Sequence, residues 1–253
     1  MSLSVEIINQ LSDNYSFLIF KKDISSSIII DPAEANKVID SLKMKKLTLD
    51  YIFITHHHTD HTSGVLELVE EYPKVKIYSP SALNSLSINK ISGGDKILTT
   101  LNEFEIISSP GHTLDHIVLC DHKNNFLFAG DVLFRLGCGR VFEGTFEQMQ
   151  NSLQKILNLS NEMLVFCGHE YTLNNLKFLE HIFSKNEILE KKRKIISEDL
   201  NSKGRSIPFY LGEEKKCNPF LNQKCEMVSE FRIKNKYSDS EFFTYLRERK
   251  DNF

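Results

Sequence analysis

The 253-residue chain has no CxxC pair, no long apolar run, no internal repeat and no dominant charge, and each absence excludes a class. Its five cysteines, at positions 120, 138, 167, 217 and 225, are odd in number and scattered. That pattern fits reduced thiols in a cytosol-like compartment better than a disulfide framework. No apolar run approaches the ~20 residues of a membrane-spanning helix. The opening Met1-Ser2-Leu3-Ser4-Val5 has neither the charged nor the apolar region of a signal peptide, and it is not Arg-rich like a transit peptide. A cytoplasmic chain with no membrane partner is expected. The formal net charge of −3 lacks the basic surplus of a nucleic-acid binder, so no nucleic-acid partner is expected either.

What is present is a globular composition, 41% hydrophobic and 26% charged. The length allows one large domain, or a medium domain with a small one, and is enough for a sizeable core. Charge is uneven. Residues 185–253 hold 16 Lys/Arg against 12 Asp/Glu, and the remainder holds 15 against 22. The basic stretch reads either as a solvated helical surface or as a region that attracts a small anionic ligand.

Patterning divides the chain near residue 170. Before it, strand-like runs at 5–8, 15–20, 28–30, 51–54, 75–78, 104–107, 116–120, 126–129 and 163–167 alternate with helix-like runs near 34–46, 64–72 and 146–158. Several strands follow one another directly, so hairpins and a mixed sheet are expected. After it, 173–202 reads as helical, 203–225 as irregular and 239–250 as a last helix. The expected domains are 1–170 and 171–253.

The densest chemical signal is Thr55-His56-His57-His58-Thr59-Asp60-His61, hung from the apolar run 51–54. His56 and His58 are two apart and share a side of an extended chain. Asp60 and His61 fall where the chain turns toward a helix near Ser63-Gly64. Imidazole and carboxylate together suit zinc, iron or manganese. His57 faces the other way and reads as an ordinary surface residue. Three more strand ends offer donors: Pro110-Gly111-His112-Thr113, Ala129-Gly130-Asp131 and Cys167-Gly168-His169-Glu170. Each donor sits next to a glycine, which permits close backbone approach.

In this order, HxHxDH, PGHT, GD and GHEY, the chain resembles the metallo-β-lactamase superfamily, and within it the glyoxalase II (hydroxyacylglutathione hydrolase) family. The likeness covers nearly the whole chain. It includes Asp13-Asn14-Tyr15, the stretch Leu133-Phe134-Arg135-Leu136-Gly137-Cys138-Gly139-Arg140, the string from Gly168 through Phe178, Asn218-Pro219-Phe220, and the closing Arg247-Glu248-Arg249-Lys250-Asp251-Asn252-Phe253. The resemblance implies an α/β fold: a four-layer αβ/βα metallo-β-lactamase sandwich with mixed sheets, plus a small C-terminal α-helical domain that binds glutathione. It implies two divalent metal ions, zinc ahead of iron or manganese. His56, His58 and His112 would hold one, Asp60, His61 and His169 the other, with Asp131 bridging. Asp60 and Asp131 then count as catalytic.

The implied reaction is hydrolysis of S-(2-hydroxyacyl)glutathione, S-D-lactoylglutathione first, as the second step of methylglyoxal detoxification. A water between two cations about 3.5–4 Å apart loses its proton near pH 7, and that hydroxide would attack the thioester carbonyl. The leaving thiol has a pKa of about 8.5 and needs no dedicated acid. Cys138 therefore reads as a packed small residue rather than a nucleophile. By the same resemblance Arg140, Tyr171, Arg247 and Lys250 would bind the small-molecule glutathione thioester, and the protein would be a monomer. Arg247 and Lys250 are read as exposed contacts, weakened by salt, with Lys250 mobile without ligand. Two departures stand out. Phe142 replaces a tyrosine of some relatives and can only pack. Arg140 replaces a lysine and presents a planar fork. Asp115 and His116 read either as groups that orient metal ligands or as structural residues. The runner-up within the superfamily is a persulfide dioxygenase with one iron.

Overall fold

The computed structural model describes residues 2–253. They form two compact units, one of residues up to Ser108 with Asp115–Asn124, the other of Ser109–Leu114 with Asn125–Phe253.

In the first unit β1 (Leu3–Gln10), β2 (Asn14–Lys21) and β3 (Ser26–Ile30) are antiparallel neighbours. Helix α1 (Ala35–Lys45) then crosses over to β4 (Thr48–Phe53), which lies parallel to β3. After the short α2 (Thr59–Thr62) and α3 (Val65–Glu71), β5 (Lys76–Ser79) and β6 (Asn89–Lys90) extend the parallel part. The sheet order β1-β2-β3-β4-β5-β6 is mixed, as the hairpin-rich pattern predicts. Ile28, Ile29, Ile30, Ile52 and Phe53 are fully buried. That is why these central strands read as unbroken apolar runs rather than alternating ones. Ala35, Val38 and Leu42 of α1 join Val65 and Leu68 of α3 on one face of the core, against Ile29, Ile52 and Ile77. Their spacing of three to four residues is the amphipathic helix signature. Truncating Leu42 to alanine there would cost about 2–5 kcal/mol. β7 (Lys96–Leu98), β8 (Glu103–Ser108) and β9 (Ile117–Asp121) form an antiparallel meander.

In the second unit β10 (Phe126–Gly130) leads to a small hairpin, β11 (Leu133–Phe134) with β12 (Gly137–Cys138). Helix α4 (Phe146–Leu157) starts on a capping box made by Thr145 and Gln148. β13 (Leu164–Cys167) pairs parallel with β10, and a bulge at Phe128/Gly130 sets Gly130 opposite Cys167. The rest is mainly helical: α5 (Thr172–Ile182), α6 (Glu187–Lys203), the two-residue β14 (Phe209–Tyr210), α7 (Leu211–Cys217), a 3₁₀ turn at Glu226–Val228, α8 (Ser229–Asn235) and α9 (Asp239–Asp251).

Two readings of this region change. The single helix expected over 173–202 is broken at 183–186. Lys185 is left-handed, and the Asn186 side chain caps a new helix by accepting from the Ile188 and Leu189 amides. The stretch 203–225, expected to be irregular, contains β14 and α7. Among the described residues, no helix is long and apolar enough to cross a membrane. All five cysteines are free and buried.

Candidate metal centre and anion site

The first unit gathers four of the expected donors at the end of β4. His56 Nε2 lies 3.1 Å from His58 Nδ1, and the rings of His56 and His61 are 4.3 Å apart. His61 Nε2 is 3.7 Å from Asp60 Oδ2. His56 and His61 are buried, and His58 and Asp60 half-buried. Asn14 positions Asp60 by donating from Nδ2 to both its carbonyl, at 3.1 Å, and its Oδ2, at 3.0 Å.

Asp31, at the end of β3, orders this group. It is a buried aspartate with φ of 52°, and sequence reasoning gave it no role. Its Oδ1 accepts the Thr55 amide and its Oδ2 the Thr55 hydroxyl, both at 2.8 Å. A hydroxyl that donates to Asp31 must accept from His56 Nδ1, 2.9 Å away. Asp31 Oδ2 also faces His61 Nδ1 at 3.1 Å. Both rings thus carry their proton on Nδ1 and leave Nε2 as a lone-pair donor, the usual way a carboxylate fixes a metal-binding imidazole. The only sequence signal was an acid placed at a strand end, Ile30-Asp31-Pro32.

His57 faces away and pairs with Asp115 at 2.9 Å. Asp115 also accepts from the Ser81 hydroxyl at 2.5 Å. His116 is buried, with its ring stacked 4.8 Å from that of His56.

The second unit gathers the other three donors. Asp131 and His169 follow the ends of the paired parallel strands β10 and β13, so neighbouring loops deliver them. His169 Nε2 is 3.2 Å and His112 Nε2 3.5 Å from Asp131 Oδ2. His112 Nδ1 lies 2.8 Å from the Arg140 carbonyl, an acceptor, so the proton sits on Nδ1 and Nε2 faces Asp131. The Tyr171 ring stacks on His169 with centroids 4.7 Å apart. Phe142, 60% exposed, stands edge-on to His112 at 5.2 Å. Gly139 packs against the backbone of Asp131: a Cβ there would lie 1.8 Å from the Asp131 carbonyl oxygen.

The β11–β12 hairpin is fixed from several helices. Glu214 Oε2 accepts the amide of left-handed Leu136 at 2.7 Å, and Asn218 Nδ2 donates to the Phe134 and Gly137 carbonyls. Asn175 donates to the Arg135 carbonyl at 3.1 Å. Glu214 is fully enclosed, and burial pushes its carboxyl pKa up.

The hairpin's exit, Cys138-Gly139-Arg140, meets α9. Arg247 was expected to be an exposed contact but is only 3% exposed. Its Nη1 donates to the Cys138 carbonyl at 3.1 Å, and its Nε and Nη2 donate to Asp251 Oδ1 at 3.1 and 2.7 Å. Nor does Lys250 hang free. Its ammonium donates to the Asn174 carbonyl at 3.0 Å and lies over the rings of Phe178 and Phe253 at 5.1 and 5.5 Å. Burial, then the Arg247 and Arg140 charges, bring its pKa down to about 8. Burial pushes the Cys138 thiol up, so it is a neutral packed thiol.

Residues 12–169 match the family model described as the metallo-β-lactamase superfamily, the class that the mixed sheets and strand-end His/Asp donors define. Members of that class imply divalent metal ions. The remaining 170–253 match the model described as the hydroxyacylglutathione hydrolase C-terminus. The chain is 40% identical to the hydroxyacylglutathione hydrolase of Pelagibacter ubique, over 99% of this chain and all of that protein. It is also 40% identical to that of Photorhabdus laumondii, over 96% of this chain and 97% of that one. The chain belongs to the hydroxyacylglutathione hydrolase (glyoxalase II) family and is an enzyme of that family. Among solved structures it resembles ETHE1 from Myxococcus xanthus, with a TM-score of 0.65 at 24% identity over the full length of both chains. A metallo-β-lactamase from Staphylococcus aureus gives 0.57 at 20% identity, over 77% of this chain and 72% of that one. At these identities the likeness is one of fold.

Proposed function

We propose that the chain hydrolyses S-(2-hydroxyacyl)glutathione, with S-D-lactoylglutathione as substrate, to glutathione and D-lactate, the second step of methylglyoxal detoxification. In this reading it acts as a cytoplasmic monomer on a small-molecule substrate, with residues 1–170 supplying the chemistry and 171–253 the helices that bind the thiol carrier. By the likeness to the family, His56, His58 and His112 would hold one divalent ion and Asp60, His61 and His169 a second, with Asp131 as a ligand to both. The donor types support this: imidazole nitrogens and carboxylate oxygens suit zinc, with iron and manganese also accommodated. When bound, such ions polarise a carbonyl and lower the pKa of water.

The chain's own residues do the remaining work. Asp31 and the Arg140 carbonyl hold protons on Nδ1 of His61 and His112, keeping each Nε2 available. Asn14 holds Asp60. Arg140 and Lys250 present positive charge to the glycine-end carboxylate of the thiol carrier, Tyr171 adds a flat face beside His169, and Arg247 holds the Cys138 carbonyl and Asp251. The leaving thiol, with a pKa of about 8.5, departs without a dedicated acid.

The observation that carries this reading is the convergence of Arg140 and Arg247 on a single carboxylate, Asp251, in the helical part that matches the hydroxyacylglutathione hydrolase C-terminus. The test is to supply S-D-lactoylglutathione to the purified protein and follow thiol release. Rapid release supports the proposal. Oxygen uptake on glutathione persulfide without thioester cleavage would replace it with the dioxygenase reading.

A further inference from the structure

Asp251 ends helix α9, and its Oδ1 is crowded by guanidinium groups. Arg247 Nη2 lies 2.7 Å away, Arg247 Nε 3.1 Å and Arg140 Nε 3.4 Å. The carboxylate is 27% exposed and the Arg140 side chain 56% exposed, so solvent and ligand reach both. Arg247 offers no such access, because it is buried and also donates to the Cys138 carbonyl. With Lys250 the cluster holds three cations and one anion. A ligand carboxylate that approaches Arg140 meets a carboxylate already there. It must share the guanidinium with Asp251 and approach against its charge.

We propose that Asp251 is a specificity-determining residue: an internal stand-in for the ligand's carboxylate that limits how tightly the site holds negative charge. The inference rests on the reading above, that this cluster receives the anionic end of the thiol carrier. It assigns a role to a residue that contacts the arginines rather than the reacting atoms. Its physical basis is that a carboxylate within 4 Å of a partly exposed guanidinium offsets much of that cation's pull on a second anion. A mere staple between Arg247 and α9 makes the opposite prediction. Removing a staple loosens Arg247 and weakens ligand binding.

The test compares Asp251→Asn with the native chain, using inhibition by glutathione and by its glycine-end amide. The neutral amide of the Asn side chain keeps an oxygen for Arg247 and removes the charge. The preference for glutathione over the amide should rise about three- to fivefold in the variant, with a steeper loss of glutathione binding on added salt. An unchanged or smaller preference overturns the proposal. Asp251→Ser, which retains a short acceptor, gives the same readout if the Asn variant does not fold. If the native protein itself does not distinguish glutathione from the amide, the anion-site reading fails, and that outcome is distinct from failure of the Asp251 role.

Discussion

His61 Nδ1 lies 3.1 Å from the buried Oδ2 of Asp31, the carboxylate that also accepts the amide and hydroxyl of Thr55. One acid thus fixes the tautomer of His61 directly and of His56 through Thr55. Asp31→Ala should weaken metal binding about 10- to 100-fold. It should also lower stability by about 1–3 kcal/mol, because the buried Thr55 amide loses its acceptor. Chelator competition and thermal unfolding measure the two effects. Unchanged metal affinity would show that the rings hold their orientation without Asp31.

Gly139 has no room for a side chain beside the Asp131 carbonyl. Gly139→Ala must displace the segment after β10 that carries Asp131 or the segment after β12 that carries Arg140, at about 1–3 kcal/mol of overpacking. Turnover should fall at least tenfold, with a lowered Tm. Native turnover and Tm together would mean that the hairpin yields without moving Asp131.

Lys250 sets a pH limit on binding. Its pKa, lowered to about 8, leaves it charged at neutral pH and neutral above. The KM for the anionic thioester should be flat below that value and rise above it, and Lys250→Gln should remove the rise. The stability effect has its own sign. Between about 8 and 10.5 the folded chain has released this proton and the unfolded chain still holds it. Lys250 therefore makes stability increase with pH across that window. A KM profile identical in native and variant chains would contradict this role.

Glu214 acts in the reverse sense. Burial raises its pKa above 4.5, so the folded chain binds the proton more tightly than the unfolded chain. Its contribution to stability falls as pH climbs from 4.5 through the raised value. Glu214→Gln keeps an acceptor for the Leu136 amide and cannot ionise, so the decline of Tm as pH climbs above 4.5 should become shallower. An equal or steeper decline would show that Glu214 is not the group responsible.

The strand ends were legible because the central strands are buried on both faces. Runs such as Ile28–Ile30, Tyr51–Ile54 and Phe126–Ala129 announce themselves by composition, and a donor after such a run is conspicuous. Asp31 follows the same rule but stands alone, and a single acid before a proline looks like any turn. The break at 183–186 was hidden because Phe183 and the capping Asn186 interrupt the helical pattern by only a few residues. The burial of Arg247 was unreadable for a different reason. It depends on the carbonyl of Cys138, 109 positions away, and nothing local to α9 distinguishes a buried arginine from a solvated one.

Metal content per chain tests the central claim most directly. Elemental analysis of the native protein should find two divalent ions. In Asp131→Ala, where the proposed bridge is gone, at least one should be lost together with nearly all thioester turnover. Retention of two ions and full turnover in that variant would contradict the account.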